Sequence, residues 1–338
     1  MSLIQVLNQK EVAQVTSLDN VIRCVEDVYV QNCLGKTVVW PTTFYEFSPG
    51  VADMDIKSGY LKNMGIFGHK TVSWFGPNSQ LGIPELTGAI MLFSAKTGMP
   101  VGLLDAAFIT GIRTGAAGAI GAKYLARPDS RHLLVVGCGN QAFFQIAAML
   151  TLFPALETIT VANPRCLSHA QDFVASLPKR LEETFSLTCP ATSLRAVQSP
   201  KEALQTSDIV ITATSSKEPL IKRDWVRPGT HFSCIGADAE GKEELDPLLF
   251  EHARIFVDDP VHCIAAGEIE IPLKKGIISK ESITGEIGEL ICQKKAGRTD
   301  SREITVFDAT GMAILDLAVA KATLDAAKAQ GLGQTITL

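Results

Sequence analysis

The residues best suited to chemistry lie mid-chain, in Leu133-Leu-Val-Val-Gly-Cys-Gly-Asn-Gln-Ala142. Four branched aliphatics in a row suit a strand buried on both faces of a parallel sheet. Gly137 and Gly139 then permit a tight turn and let the backbone approach a pyrophosphate, whose charge is favoured at the N-terminus of the helix that follows. Ala142 fills the third small position of G-x-G-x-x-G/A, as the dinucleotide fingerprint permits. The chemistry such a turn supports is redox transfer with a nicotinamide or flavin nucleotide. An ordinary βα turn carries the same glycines, so the fingerprint has weight only in a strand–helix–strand setting.

That setting is legible in the flanking sequence. Residues 156–162 read as a second strand one helix length later, and residues 208–214, 230–236 and 254–259 read as further strands. Strands alternating with helical segments indicate an α/β domain with a parallel sheet. The earlier part reads as α+β. Residues 17–30 space their apolar side chains for an amphipathic helix, and short strands are expected near residues 38–40, 65–72 and 88–93, with hairpin-turn chemistry at 96–100. The segment 110–126 is rich in Gly and Ala and predicts a helix packed very close to a neighbour. A second reading of it puts Arg113 and Thr114 at the helix N-terminus, facing an anion. Residues 304–308 read as a strand and 310–329 as a long helix that returns the chain to the first domain.

Bulk properties narrow the function. A chain of 338 residues with 46% apolar content can bury two cores, and a net charge of −5 without a basic run argues against nucleic-acid binding. No apolar run reaches membrane-spanning length, and residues 1–8 lack the pattern of an export signal. The eight cysteines (24, 33, 138, 166, 189, 234, 263, 292) are dispersed without a C-x-x-C pair, and the six histidines are scattered. No metal is expected, and reduced thiols in the cytoplasm are the economical reading.

Several motifs together resemble the ornithine cyclodeaminase/mu-crystallin family. They are Gly68-His-Lys-Thr-Val72, Asn78 with Gly82-Ile-Pro84, Leu104-Asp105, Ile109-Thr-Gly-Ile-Arg-Thr-Gly-Ala-Ala117 and Val136-Gly-Cys-Gly-Asn-Gln-Ala142. Asp208-Ile-Val-Ile-Thr-Ala-Thr214, Ile235-Gly-Ala-Asp-Ala239 with Lys242-Glu-Glu-Leu-Asp246, Gly297-Arg-Thr299 and Phe307-Asp-Ala-Thr-Gly311 follow in family order. The first 60 residues match poorly. The resemblance implies a Rossmann-type doubly wound parallel sheet at residues 116–308 that binds NAD(H) or NADP(H). It also implies a split α+β substrate-binding and dimerisation domain at residues 1–115 and 309–338, and a homodimer. The reactions it implies share hydride transfer at the α-carbon bearing the nitrogen of an amino or imino acid.

Lys70 and Arg113 match the family's carboxylate-binding lysine and arginine, and Lys70 is also a catalytic candidate. A guanidinium holds a carboxylate through two parallel hydrogen bonds and so fixes the α-carbon. Asp238 matches the family's acid near the substrate nitrogen and follows a strand, at the edge where open α/β sheets bind ligands. Thr114, Gly137, Gly139, Asn140 and Gln141 are expected around the pyrophosphate, and Thr212, Thr214 and Ser215 near the nicotinamide. Glu268 and Glu270 read as a surface turn and are left out of the site.

Asn163 and Arg165 end the second strand where NAD enzymes usually place an acid, which favours NADP(H), with NAD(H) as the alternative. Asn163 lies 26 positions after Gly137, against a nominal spacing of about 20. Ornithine cyclodeaminases carry an additional early arginine, absent here from residues 39–47, and Lys57 is the candidate replacement. Gly267-Glu-Ile-Glu-Ile271 also departs from their Glu-Gly-Glu-Ile-Gln pattern. These departures favour an imine reductase or amino-acid dehydrogenase over an ammonia-releasing cyclodeaminase, the alternative. A third possibility, a protein that binds nucleotide without turnover, is disfavoured by the joint retention of Lys70, Arg113 and Asp238.

Overall fold

The computed structural model describes residues 3–189 and 193–337. The chain divides into two units, Met1–Arg113 with Met312–Leu338, and Thr114–Gly311. The first opens with β1 (Leu3–Leu7), α1 (Gln9–Val15) and α2 (Leu18–Cys33), then β2 (Thr37–Val39), β3 (Thr43–Ser48), β4 (Ala52–Leu61), β5 (Ile66–Phe75), β6 (Leu86–Ser94) and β7 (Pro100–Asp105). Helix α3 (Ala107–Leu125) spans the division. The second unit continues with β8 (His132–Val136), α4 (Asn140–Leu152), β9 (Thr158–Ala162), α5 (Leu167–Phe185), β10 (Ser193–Val197), α6 (Lys201–Leu204) and β11 (Ile209–Thr212). It ends with β12 (Lys217–Ile221), β13 (His231–Cys234), β14 (Glu243–Leu245), β15 (Ala253–Val257), α7 (Pro260–Ala266), α8 (Glu270–Lys274), β16 (Ile283–Glu286), α9 (Ile287–Ile291) and β17 (Ile304–Asp308). Helix α10 (Ala313–Ala329) and β18 (Gln334–Thr337) return to the first unit.

The first unit holds a mixed sheet in the order β18-β1-β7-β6-β5-β4-β2, with β3 also pairing with β4. Along β5, burial alternates through Ile66, Gly68, Lys70 and Val72, so the period of two puts Lys70 on the buried face. Residues directly opposite each other on antiparallel strands point to the same face. Lys57 on β4 therefore shares Lys70's face, and Gly59 shares that of Gly68. A methyl group at Gly59 would sit 3.1 Å from Ile314, and one at Gly68 would sit 3.2 Å from Leu317. The two bare positions let α10 lie close against the sheet.

The second unit holds a parallel sheet in the order β10-β9-β8-β11-β13-β17-β15-β16. Successive strands step one way from β8 to β10, and β11 starts again on the other side of β8. That reversal creates a crevice beyond the carboxyl ends of β8 and β11. Leu134 and Val136 of β8 join Val210, Phe232 and Val306 in one buried core, which explains the uninterrupted aliphatic run.

Helix α3 corrects one expectation. Its first turn lies at Ala107, where Asp105 accepts the N–H groups of Ala107 and Phe108. Arg113 and Thr114 thus sit two turns inside the helix rather than at its N-terminus. The small residues serve close packing: a methyl group at Gly118 would lie 2.2 Å from the Gln145 side chain, and one at Gly121 would lie 2.1 Å from the Phe307 ring.

Candidate active site

In the first unit, three cationic side chains converge below the surface. Lys57, Lys70 and Arg113 are 6%, 1% and 5% exposed, and Asp316 of α10 is fully buried among them. Asp316 lies 3.2 Å from Lys70 Nζ and accepts a 2.8 Å hydrogen bond from Arg113 Nε. Burial lowers the Lys70 ammonium to about 8 against the opposing pull of Asp316, with Arg113 and Lys57 adding to the drop. Burial alone would raise the Asp316 carboxyl, but Arg113, Lys70 and Lys57 overcome it and hold the group below its ordinary value. The structure thus brings together Lys57, Lys70 and Arg113, the three cations expected at the substrate. It adds Asp316, which sequence reading missed. The available signal was a lone acid inside the apolar run Met312-Ala-Ile-Leu-Asp-Leu-Ala-Val-Ala320, since a carboxylate on a buried helix face requires a partner.

In the second unit, Gly137 has φ +110°, and a methyl group there would meet the Ala213 carbonyl oxygen at 2.5 Å. Only glycine suits both demands. Gly139 caps α4 without a side-chain cap hydrogen bond among the described residues, and a methyl group at Gly139 would meet nothing within 4 Å. Asn140 is exposed beside it, and the buried Gln141 Oε1 atom has no hydrogen-bond partner among the described residues. An open glycine turn, uncapped helix N–H groups and a crevice at the sheet reversal fit a dinucleotide pyrophosphate.

The remaining residues of the crevice lie on both sides of this turn. Asn163 donates to Cys138 Sγ at 3.0 Å and accepts the N–H groups of Arg165 and Cys166. The Arg165 side chain is exposed. On the other side, Thr212 is buried and Ser215 exposed, while Thr214 donates from its backbone and its hydroxyl to one oxygen of Glu244. Asp238 follows β13, is half exposed, and pairs with Lys242 at 2.5 Å. Thr114 is buried in α3, and its carbonyl accepts a hydrogen bond from Gln145.

Other charged groups serve the fold. Arg298 of Gly297-Arg-Thr299 donates to the carbonyls of Leu125 and Glu303 and to the Thr305 hydroxyl. It lines an open cavity with Arg127 and Arg302, at the edge where the strands begin, opposite the glycine turn. Burial, reinforced by the Arg298 charge, lowers His231 to about 3, and its ring nitrogens bond to Thr305 and Ser233. No cluster of metal-ligating side chains and no membrane-length apolar helix occurs among the described residues.

A model of the ornithine cyclodeaminase/mu-crystallin family matches residues 4–331. The chain is 36% identical to the alanine dehydrogenase of Archaeoglobus fulgidus over 331 residues, which cover 98% of this chain and 97% of the relative. The structure of an archaeal alanine dehydrogenase dimer with bound NAD superposes with a TM-score of 0.89 at 35% identity, covering 99% of each chain. The Delta(1)-pyrroline-2-carboxylate reductase of Thermococcus litoralis, in complex with NADH and L-proline, superposes with a TM-score of 0.90 at 31% identity, covering 98% of this chain and 100% of the other.

Proposed function

Because the chain belongs to the ornithine cyclodeaminase/mu-crystallin family, we propose that it is an NAD(P)-dependent oxidoreductase of CH–NH bonds, an imine reductase or amino-acid dehydrogenase. The observation that carries the substrate class is the buried group of Lys57, Lys70 and Arg113, set against the carboxylates of Asp316 and Asp55. Three cationic groups face two anionic ones, and a substrate α-carboxylate balances the difference. At neutral pH most of Lys70 keeps its proton and can hold that carboxylate as an ammonium. Arg113, steadied through Nε by Asp316, presents a planar guanidinium that orients it. When bound, the dinucleotide supplies or accepts the hydride at the substrate α-carbon. Asp238 accepts and returns the proton of the substrate nitrogen.

The glycine turn with Asn140 and Gln141 holds the pyrophosphate in this reading, with Thr114 beside it, and Thr212, Thr214 and Ser215 line the nicotinamide end. NADP(H) is favoured over NAD(H). Asn163 stands where an acid would hold the ribose hydroxyls, and the exposed Arg165 suits a 2′-phosphate. A homodimer is supported by the exposed Phe44, Tyr45 and Phe47 of β3 together with Leu81 and Ile83, an apolar surface of the kind that a partner covers. Eight cysteines without a disulfide support a cytoplasmic setting.

The test follows nicotinamide absorbance in purified protein given NADPH or NADH, with cyclic imino acids or with α-keto acids plus ammonia or amines. Substrate-dependent loss of absorbance is expected. Ammonia release from ornithine or lysine at constant absorbance would make the protein a cyclodeaminase instead, and no turnover in either assay would refute the enzymatic reading.

A further inference from the structure

Glu244 lies on the short strand β14, yet its side chain joins two loops of the crevice. Its Oε1 accepts the Thr214 backbone N–H at 2.7 Å and the Thr214 hydroxyl at 2.6 Å, while Oε2 accepts the Gly236 N–H at 3.1 Å. Thr214 belongs to the loop after β11, and Gly236 to the loop after β13 that carries Asp238. Glu244 is fully buried. Its own backbone is fastened in turn, because Glu268 Oε1 accepts the N–H groups of Glu244 and Leu245 at 2.8 and 2.7 Å. The packing is close, since a methyl group at Gly236 would lie 2.4 Å from Glu244 Oε2.

The position of these loops gives the clasp a role. The residue ending the second strand reads the adenosine ribose, and the pyrophosphate sits at the glycine turn. In this sheet that strand is β9, on one side of β8, and β11 and β13 lie on the other. A dinucleotide is continuous, so its nicotinamide end must run over β11 and β13, the two strands whose loops Glu244 joins.

We infer that Glu244 is a positioning residue for the nicotinamide end of the cofactor and for Asp238, acting through Thr214 and Gly236 rather than by touching either partner of the reaction. The inference rests on the dinucleotide reading above. A glutamine there keeps the size of the side chain but turns one acceptor into a donor, so it can no longer accept from both loops.

The experiment compares wild-type protein and Glu244→Gln by affinity for ADP-ribose, affinity for the reduced dinucleotide, kcat, and site-resolved amide exchange. ADP-ribose lacks the nicotinamide and reports the adenosine half and the folding of its site. For the variant, ADP-ribose affinity within twofold of wild type is expected, with at least fivefold weaker dinucleotide binding and at least tenfold lower kcat. Amides of residues 214–216 and 236–239 should exchange faster, and those of the glycine turn should not. Dinucleotide affinity and kcat within twofold of wild type would overturn the inference, as would equal loss of both ligands, the mark of a general folding defect. A wild-type protein that binds neither ligand would remove the dinucleotide reading itself, and this inference with it.

Discussion

Replacing Asp316 by asparagine preserves the volume of the side chain and removes its charge, which makes it the sharpest probe of the buried cluster. The carboxylate lies 3.2 Å from Lys70 Nζ and 2.8 Å from Arg113 Nε. At an effective dielectric near 20, unit charges 3.2 Å apart attract by roughly 5 kcal/mol. The cations are already out of water, so removal of their partner leaves that desolvation uncompensated, a loss of about 3–5 kcal/mol for buried pairs. Lys70 offers partial relief. Its ammonium is lowered to about 8 by burial even with Asp316 opposing, so without Asp316 it can shed its proton and limit the loss. Asp316→Asn should therefore destabilise the protein by about 3 kcal/mol. The assay is urea unfolding followed by circular dichroism, and a chain of two units need not unfold in one step. The comparison is accordingly made on the transition that the variant shifts, in a double-mutant cycle with Lys70→Met. The methionine removes the stranded charge, so the double variant should recover at least about 1 kcal/mol relative to additivity. An unchanged midpoint for Asp316→Asn, or additivity within about 0.5 kcal/mol, would show that the cluster is not the electrostatic unit described.

Three further outcomes follow from the same geometry. The Lys70 value near 8 lies below its ordinary 10.5, so between these the unfolded chain holds more protons, and stability from this group rises with pH. Loss of the ammonium should conversely raise KM for carboxylate substrates above about pH 8. A KM profile flat through that range, or one that Lys70→Met leaves unchanged, would contradict the role of Lys70. Arg165→Ala should reduce the preference for NADPH over NADH by about tenfold or more, the worth of hydrogen bonds to a charged group; an unchanged ratio of the two kcat/KM values would dismiss Arg165 as the phosphate reader. Gly121→Ala would place a methyl group 2.1 Å from the Phe307 ring and should cost about 1–3 kcal/mol by overpacking. Calorimetry showing no fall in Tm would mean that α3 is not held so tightly.

The most legible elements were those whose signal is local. Leu133 to Ala142 announced a buried strand, a glycine turn and a helix, and these became β8, Gly137 and α4. The paired strands β3 and β4 were not anticipated. Ala52, Met54 and Ile56 alternate along β4, but the opposite face buries Lys57 and Gly59, the latter against α10, and a lysine and a glycine carry no apolar signal of a buried strand. Glu268 was read as a surface turn residue and is buried at 1% exposure. One of its oxygens, Oε1, accepts backbone N–H groups of residues 23 and 24 positions away, which no local pattern encodes.

The sequence by itself determined the parallel α/β sheet, the glycine turn after β8 and the identity of the cations at Lys70 and Arg113, because hydrophobic period, glycine spacing and family motifs are all written in short stretches. Only the tertiary structure decided what those cations face. Asp316 meets Lys70 across 246 residues of chain, and Glu244 clasps Thr214 across 30. Such pairings depend on which faces the sheets and helices bury against one another, and the free energy that selects a buried carboxylate's partner exists only once water has been excluded from both.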